Sequence, residues 1–253
     1  MAAKRAPRVL LAGESWVMHV IHQKGFESFT TTDYGEGHQF LSAALRAGGM
    51  TVTHLPNHLV ASQFPQTAAE LDAYDVVILS DCGCNNLLLH PDTFVRSKVM
   101  PNRTEVLRDW VAAGGGLVMV GGYLTFSGID GKAGYGDTAV EEALPVIMLS
   151  GDDRKEVPEG TKARILQAKH PILDGVPKNW PALLGYNRLI AKEDEQVIVA
   201  NGDDPLIVAG EFGKGRGVAY ASDCGPHWSP PAFCAWKGYA PLWQNMVKWA
   251  AGG

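Results

Sequence analysis

The 253-residue chain has no apolar run near the roughly 20 residues that a membrane-spanning helix requires. Its first residues are charged and lead into a strand pattern broken by Gly13-Glu14, which is not a signal-peptide core with a cleavage site. A cytoplasmic protein without a membrane partner is therefore expected. Positive charge is also scarce. Lys and Arg number 22 against 27 Asp and Glu, and a net charge of −5 leaves no electrostatic footprint for nucleic acid. The one basic cluster, Lys4-Arg5 with Arg8, reads as a solvated end. There are only four cysteines. In the cytoplasm they default to reduced thiols, and Cys82-Gly83-Cys84 is too tightly spaced for a Cys-x-x-Cys redox or zinc motif. Gly121-Gly122 is not followed by Gly-Lys-Ser/Thr, so no phosphate loop is present.

What the chain does have is apolar strand runs alternating with amphipathic segments. Arg8–Gly13, Thr51–Leu55, Asp75–Ser80 and Leu117–Val120 read as strands; Glu36–Ala47, Thr67–Ala73 and Arg103–Ala113 read as helices. Glycines stop two of these helices, at Gly48-Gly49 and Gly114-Gly115-Gly116. The pattern predicts an α/β, flavodoxin-like fold with a mostly parallel central sheet and helices on both faces. Further on, Ala139–Leu144 suggests a short helix and Ala163–Gln167 a strand. Val197–Ala200, Leu206–Glu211 and Gly217–Ala221 are turn-separated and predict antiparallel strands at the sheet edge. Tyr239–Ala251 closes the chain as a helix. No linker or repeat is visible, so one domain over residues 1–253 is expected.

The tetrapeptide Ser-Asp-Cys-Gly occurs twice, at 80–83 and 222–225, each time directly after an apolar run. Ligands of open α/β sheets bind beyond the carboxyl ends of the strands. Asp81, Cys82, Asp223 and Cys224 therefore become site candidates, with Glu14 and Trp16 at the end of the first strand. Asp81 is equally readable as a helix N-cap. His227, four residues after Asp223, is the expected general base or acid, with Trp228 walling its loop. Cys224 gains a claim as a nucleophile from His227 nearby, although a buried packing role is the commoner fate of such a thiol. Cys84 and Cys234 are assigned to packing. Gly121 and Gly122 could offer amides to an oxyanion at a helix start, with Tyr123 aimed into the crevice. In the segment Trp16–Gly35, Val17–Gln23 can form a short helix that sets His19 and His22 on one face, a minority zinc reading. The segment as a whole suggests a substrate-covering or subunit-contact loop. Seven tryptophans hint at self-association.

Five segments carry a family resemblance: Val9–Trp16, Asp75–Gly83, Gly115–Gly122, His170–Pro177 and Gly213–Val218. In their order and spacing the chain resembles the class I glutamine amidotransferase-like superfamily, in its putative glutamine amidotransferase and trehalose-utilisation-like branches. The resemblance implies the fold above and a late catalytic histidine. It also implies a cysteine on the turn after a central strand, with a downstream His-x-Glu. Here that turn reads Gly121-Gly122-Tyr123, and neither the cysteine nor the His-x-Glu is present. The expectation is a small-molecule enzyme that works by acid/base chemistry on a polar carbonyl or sugar-derived substrate, as a hydrolase, isomerase or lyase, without glutamine. His227, Asp223, Glu14 and Cys224 would be catalytic; Asp81, Cys82, Gly122, Tyr123, Trp16 and Trp228 would contact substrate. No cofactor is predicted, though Asp81, Asp223 and His227 could hold a divalent metal. A homo-oligomer is expected. Two alternatives stay open: a non-catalytic binding or assembly module, and a true amidotransferase with its nucleophile displaced to Cys82 or Cys224.

Overall fold

The apolar runs of the sequence become a single eight-stranded sheet in the computed structural model, which describes residues 5–193 and 195–253. The strands in chain order are β1 (Arg8–Gly13), β2 (Ser15–Lys24), β3 (Glu27–Glu36), β4 (Thr51–Leu55), β5 (Val76–Ser80), β6 (Gly116–Val120) and β7 (Val146–Met148). They continue with β8 (Arg154–Thr161), β9 (Ala163–Ile165), β10 (Leu183–Asn187), β11 (Leu189–Ala191), β12 (Gln196–Asn201), β13 (Asp204–Phe212) and β14 (Gly215–Tyr220). The helices are α1 (Gln39–Ala47), α2 (Asn57–Gln63), α3 (Ala68–Leu71), α4 (Asn85–Leu88), α5 (Pro91–Arg96), α6 (Arg103–Ala113), α7 (Ala139–Ala143), α8 (Pro231–Cys234) and α9 (Tyr239–Ala250). Among the described residues no helix is long and apolar enough to cross a membrane.

The sheet order is β4-β1-β5-β6-β14-β13-β12-β9. The first five strands run parallel, and β13, β12 and β9 add an antiparallel edge. Parallel strands covered on both faces read as continuous apolar runs, and Val76–Leu79 and Leu117–Val120 are fully buried. Helix α6 closes against the sheet through Leu107, Trp110 and Val111. Its Arg103 is buried and donates to the carbonyls of Val60, Ala61, Asn86 and Leu87, so the charge is carried by backbone oxygens of the α2 and α4 ends.

Two expectations need correction. Val17–Gln23 is not a helix. It lies in β2, which pairs with β3 along its whole length as a ten-residue antiparallel ribbon. His19 and His22 therefore face opposite sides of a strand. Each bonds a different threonine, Thr32 and Thr31 respectively, and His22 also stacks on Phe29. The basic end is not free either: Arg5 and Arg8 both pair with Asp75, while Lys4 lies outside the described residues.

Candidate functional site

Because β1, β5, β6 and β14 are adjacent and parallel, their carboxyl ends share one edge of the sheet. Glu14 follows β1, Asp81 follows β5, Gly121 follows β6 and Asp223 comes shortly after β14. A cleft of about 290 Å³ opens there, lined by Glu14, Trp16, Gly37, Asp81, Tyr123, Asp223, Gly225, Pro226 and His227. Six of the expected site residues thus meet in one place. Cys82, Gly122, Cys224 and Trp228 do not line it, but stand directly behind residues that do.

Glu14 and Asp81 both adopt left-handed backbone conformations, with φ of 50° and 45°. For residues with a Cβ this costs about 1–2 kcal/mol each. It also turns both side chains off the strand direction at the cleft. Asp81 is accordingly not a helix N-cap: α4 begins four residues later, and Asp81 Oδ1 instead accepts from the Leu124 amide at 2.7 Å. Glu14 is buried. Burial first, then the charges of Asp223 and Asp81, push its carboxyl up to about 8, against a Ser80 hydroxyl that donates to it. It is held as a carboxylic acid at neutral pH. Asp81 is raised too, chiefly by burial, with the Leu124 amide opposing and the charge of Asp223 adding.

His227 is half-buried, and its Nδ1 lies 3.4 Å from Asp223 Oδ2. The Asp223 hydrogen bond raises the imidazole above its ordinary value against the opposing effect of burial. Asp223 is itself fixed by accepting from the Gly225 amide. The imidazole stands edge-on to Tyr123 at 4.5 Å and stacks on Trp228 at 5.2 Å. Tyr123 donates to Glu156 and lies beneath the Arg154 guanidinium; Trp228 also donates to Glu156.

The oxyanion reading of Gly121 and Gly122 fails. No helix begins directly after β6, the Gly121 amide is spent on the Tyr220 carbonyl, and the Gly122 amide on Asn187 Oδ1. Asn187 is fully buried and also donates to the Gly122 carbonyl and to Asp153, so it fixes the turn rather than a substrate. The thiols are equally withdrawn. Cys224 is buried against Ser80 and Glu14, and burial followed by the charges of Glu14 and Asp223 holds it well above the ordinary thiol range. Cys82 is buried behind Asn86 and pushed up to about 12. Among the described residues neither thiol hydrogen-bonds His227, the contact a displaced nucleophile would need.

A thiol with a pKa near 12 is about a thousandfold poorer in thiolate at pH 7 than a free cysteine. Ellman's reagent should therefore find no fast-reacting thiol in the native protein, and all four cysteines after unfolding in urea. One rapid equivalent in the native state would reinstate a cysteine nucleophile. For a metal, Glu14, Asp223 and Cys224 each offer one ligand atom within 4.8 Å of the others. A divalent ion there would have to displace the protons of Glu14 and Cys224. Asp81 and His227, the other expected ligands, are not part of that group.

Sequence reasoning missed Gly37, although a Cβ at this position would stand 2.6 Å from Glu14 Oε2. It also missed Ser80 as a partner of Glu14, and the Asn187, Arg154 and Glu156 supports. Glycine directly after β3 was the one available signal.

Over residues 8–252 the chain matches the family described as "Putative glutamine amidotransferase". No curated protein matches. Among solved structures it is similar to the cytoplasmic protein STM3548 from Salmonella typhimurium, at 44% identity and a TM-score of 0.93 over 96% of this chain and 98% of that one. It is also similar to the cytoplasmic protein STM1381 from Salmonella typhimurium LT2, at 46% identity and a TM-score of 0.92 over 96% and 99%. A ThuA-like protein from Parabacteroides merdae ATCC 43184 shares the fold at 12% identity, with a TM-score of 0.56 over 98% and 90%. On a match spanning nearly its whole length and on relatives of 44% and 46% identity, the chain belongs to the family of putative glutamine amidotransferases.

Proposed function

We propose that the chain is an acid/base enzyme acting on a small polar carbonyl or sugar-derived substrate without using glutamine. One observation carries this reading: Glu14, buried beside Asp81 and Asp223, and an Asp223-held His227 line the same 290 Å³ cleft. A carboxylic acid and an imidazole facing one cleft supply a proton donor and a proton acceptor to the same bound molecule. His227 is held through Nδ1, so Nε2 takes a proton from a hydroxyl, a water or a carbon beside a carbonyl. Glu14 gives its proton to the oxygen on which negative charge develops. Asp223 steadies the imidazolium, and Asp81, fixed by the Leu124 amide, accepts from substrate hydroxyls. Tyr123 and Trp228 keep the imidazole in place by packing on it.

The test is a panel of ketoses, aldoses, lactones, keto acids and L-glutamine, followed by proton NMR. Turnover of a carbonyl or sugar compound is expected, with no ammonia from glutamine. His227→Ala should lose that turnover by a factor of about 10²–10⁴ while remaining folded by circular dichroism. Equal turnover in the variant would remove His227 from the mechanism. Compounds that bind without conversion would instead support the non-catalytic binding module.

We further propose that the protein is cytoplasmic, supported by the two Salmonella relatives named as cytoplasmic proteins and by four unpaired cysteines. Self-association through the β2–β3 ribbon is supported by its apolar exposure. Val17, Val20, Ile21, Phe26 and Phe29 are all exposed on it, and a lone two-stranded ribbon is at best marginally stable in water. Ile21→Asp with Phe29→Asp should convert an oligomer to a monomer in light scattering; an unchanged mass, or a monomeric wild type, would exclude the ribbon as the contact.

A further inference from the structure

Beside the cleft, at the root of the ribbon, Glu36, His38 and His54 bring one potential ligand atom each within 4.8 Å of the other two. Glu36 closes β3, His38 directly precedes α1, and His54 comes from β4. We propose that these three side chains form a binding site for a divalent transition-metal ion such as Zn²⁺, with a fourth position left for water or another ligand.

The chemistry of the donors supports this. His54 Nε2 lies 2.8 Å from the Gly13 carbonyl. A carbonyl only accepts, so that nitrogen carries the proton and Nδ1 keeps its lone pair. Among the described residues Nδ1 has no hydrogen-bond partner. His38 is held at Nδ1 by the Ser42 hydroxyl at 2.9 Å, and its Nε2 donates to Glu36 Oε2 at 3.1 Å, a proton whose place an ion would take. Glu36 is held on its other oxygen by the Tyr34 hydroxyl at 2.7 Å. Each candidate ligand is thus oriented by a group outside the triad, while a second atom remains for the shared space. Ligands of metal centres are oriented by outer partners in this way. The two imidazoles stack with centroids 3.8 Å apart, so both rings and the Glu36 carboxylate border one shared space. Two imidazoles with one carboxylate suit Zn²⁺ and its neighbours better than Mg²⁺ or Ca²⁺, which prefer all-oxygen sets.

The position gives such an ion a role. Gly37, between two of the ligands, lines the cleft and donates to the Glu14 carbonyl, and His54 grips the residue before Glu14. The ion would tie the ribbon root to β4 next to the acid of the proposed chemistry, whatever the substrate.

The experiment is isothermal calorimetry of chelator-stripped full-length protein with zinc sulfate alone. About one equivalent is expected to bind. His54→Ala and His38→Ala should each weaken binding by 100-fold or more, and Tyr34→Phe or Ser42→Ala by roughly 10-fold, as for groups that only orient a ligand. Circular dichroism confirms that each variant is folded, and the two orienting variants keep the test open should the ligand variants unfold. Glu14→Gln should leave the affinity unchanged, which separates this site from the Glu14–Asp223–Cys224 group. Absence of stoichiometric binding, or binding indifferent to His54→Ala and to Tyr34→Phe, would overturn the proposal. So would loss of binding in Glu14→Gln alone.

Discussion

Glu14→Gln should abolish turnover and, unusually for a change at a buried position, make the protein less sensitive to alkali. The amide matches the carboxylic acid in shape, but it has no proton to give as charge builds on a substrate oxygen. A general acid is worth about 10²–10⁴ in rate, and that loss is expected. The stability effect follows from linkage. The folded carboxyl titrates at about 8 and the unfolded one near 4.5. Between those values the native state keeps a proton that the unfolded state has shed, so stability falls as pH rises through the window. Above it, the native state bears a buried anion beside Asp81 and Asp223. His227 slopes the same way: its raised pKa gives stability present below its ordinary value and lost as pH rises past the folded one. The Glu14→Gln difference isolates the first effect, since the variant retains His227. Melting temperatures from pH 5 to 9.5 should fall more steeply for wild type than for the variant. In activity, wild type should show an alkaline limb near 8. Parallel melting curves would mean that Glu14 is ionised in the folded protein, and the acid would have to be sought elsewhere.

The positions of Glu14, Asp81 and Asp223 were legible because fully buried parallel strands announce themselves as apolar runs, and the residues just past such runs share an edge. Val76–Leu79 and Val218–Ala221 needed no partner information to be seen. The ribbon was not legible for the complementary reason. Both faces of β2 are exposed, so Trp16-Val17-Met18-His19-Val20-Ile21 shows no alternation and no buried side to set a period of two. The inert state of the cysteines was likewise invisible. Spacing put Cys224 near His227 in the chain, while the fold turns the thiol inward to Ser80 and brings the imidazole to Asp223. Asn187 and Glu156 belong to β10 and β8, a separate two-stranded pairing, and their contacts span 65 and 33 residues. Nothing local to either residue signals where it points. The Glu36–His38–His54 cluster is more local, but its members close β3, precede α1 and lie in β4, and their spacing does not show that they converge.

Gly13→Ala should be the most destabilising single methyl that can be added near the site. Gly13 sits at φ +114°, where an L-residue is strained, and a Cβ there would fall 1.8 Å from the Ser80 carbonyl oxygen and 2.9 Å from Cys82 Cβ. These obstacles are backbone and buried side chain, not flexible tips. Relief requires β1 and β5 to separate at their ends or the Gly13 peptide to rotate. Either movement breaks the Glu14 amide to Ser80 carbonyl bond of 3.0 Å and the His54 grip on the Gly13 carbonyl. Overpacking combined with backbone strain and lost buried hydrogen bonds places the cost at about 3–5 kcal/mol. Gly25→Ala at the ribbon turn is the control. It has φ +60° with nothing within 4 Å of the added Cβ, so it pays the left-handed cost alone, about 1 kcal/mol. Urea denaturation of the two variants separates the terms. A large gap places the close approach of β1 to Ser80 at the root of Glu14's conformation. Equal costs would mean that Gly13 is required for its φ alone, and that the carboxylic acid at the cleft is set by burial without help from the strand-end contact.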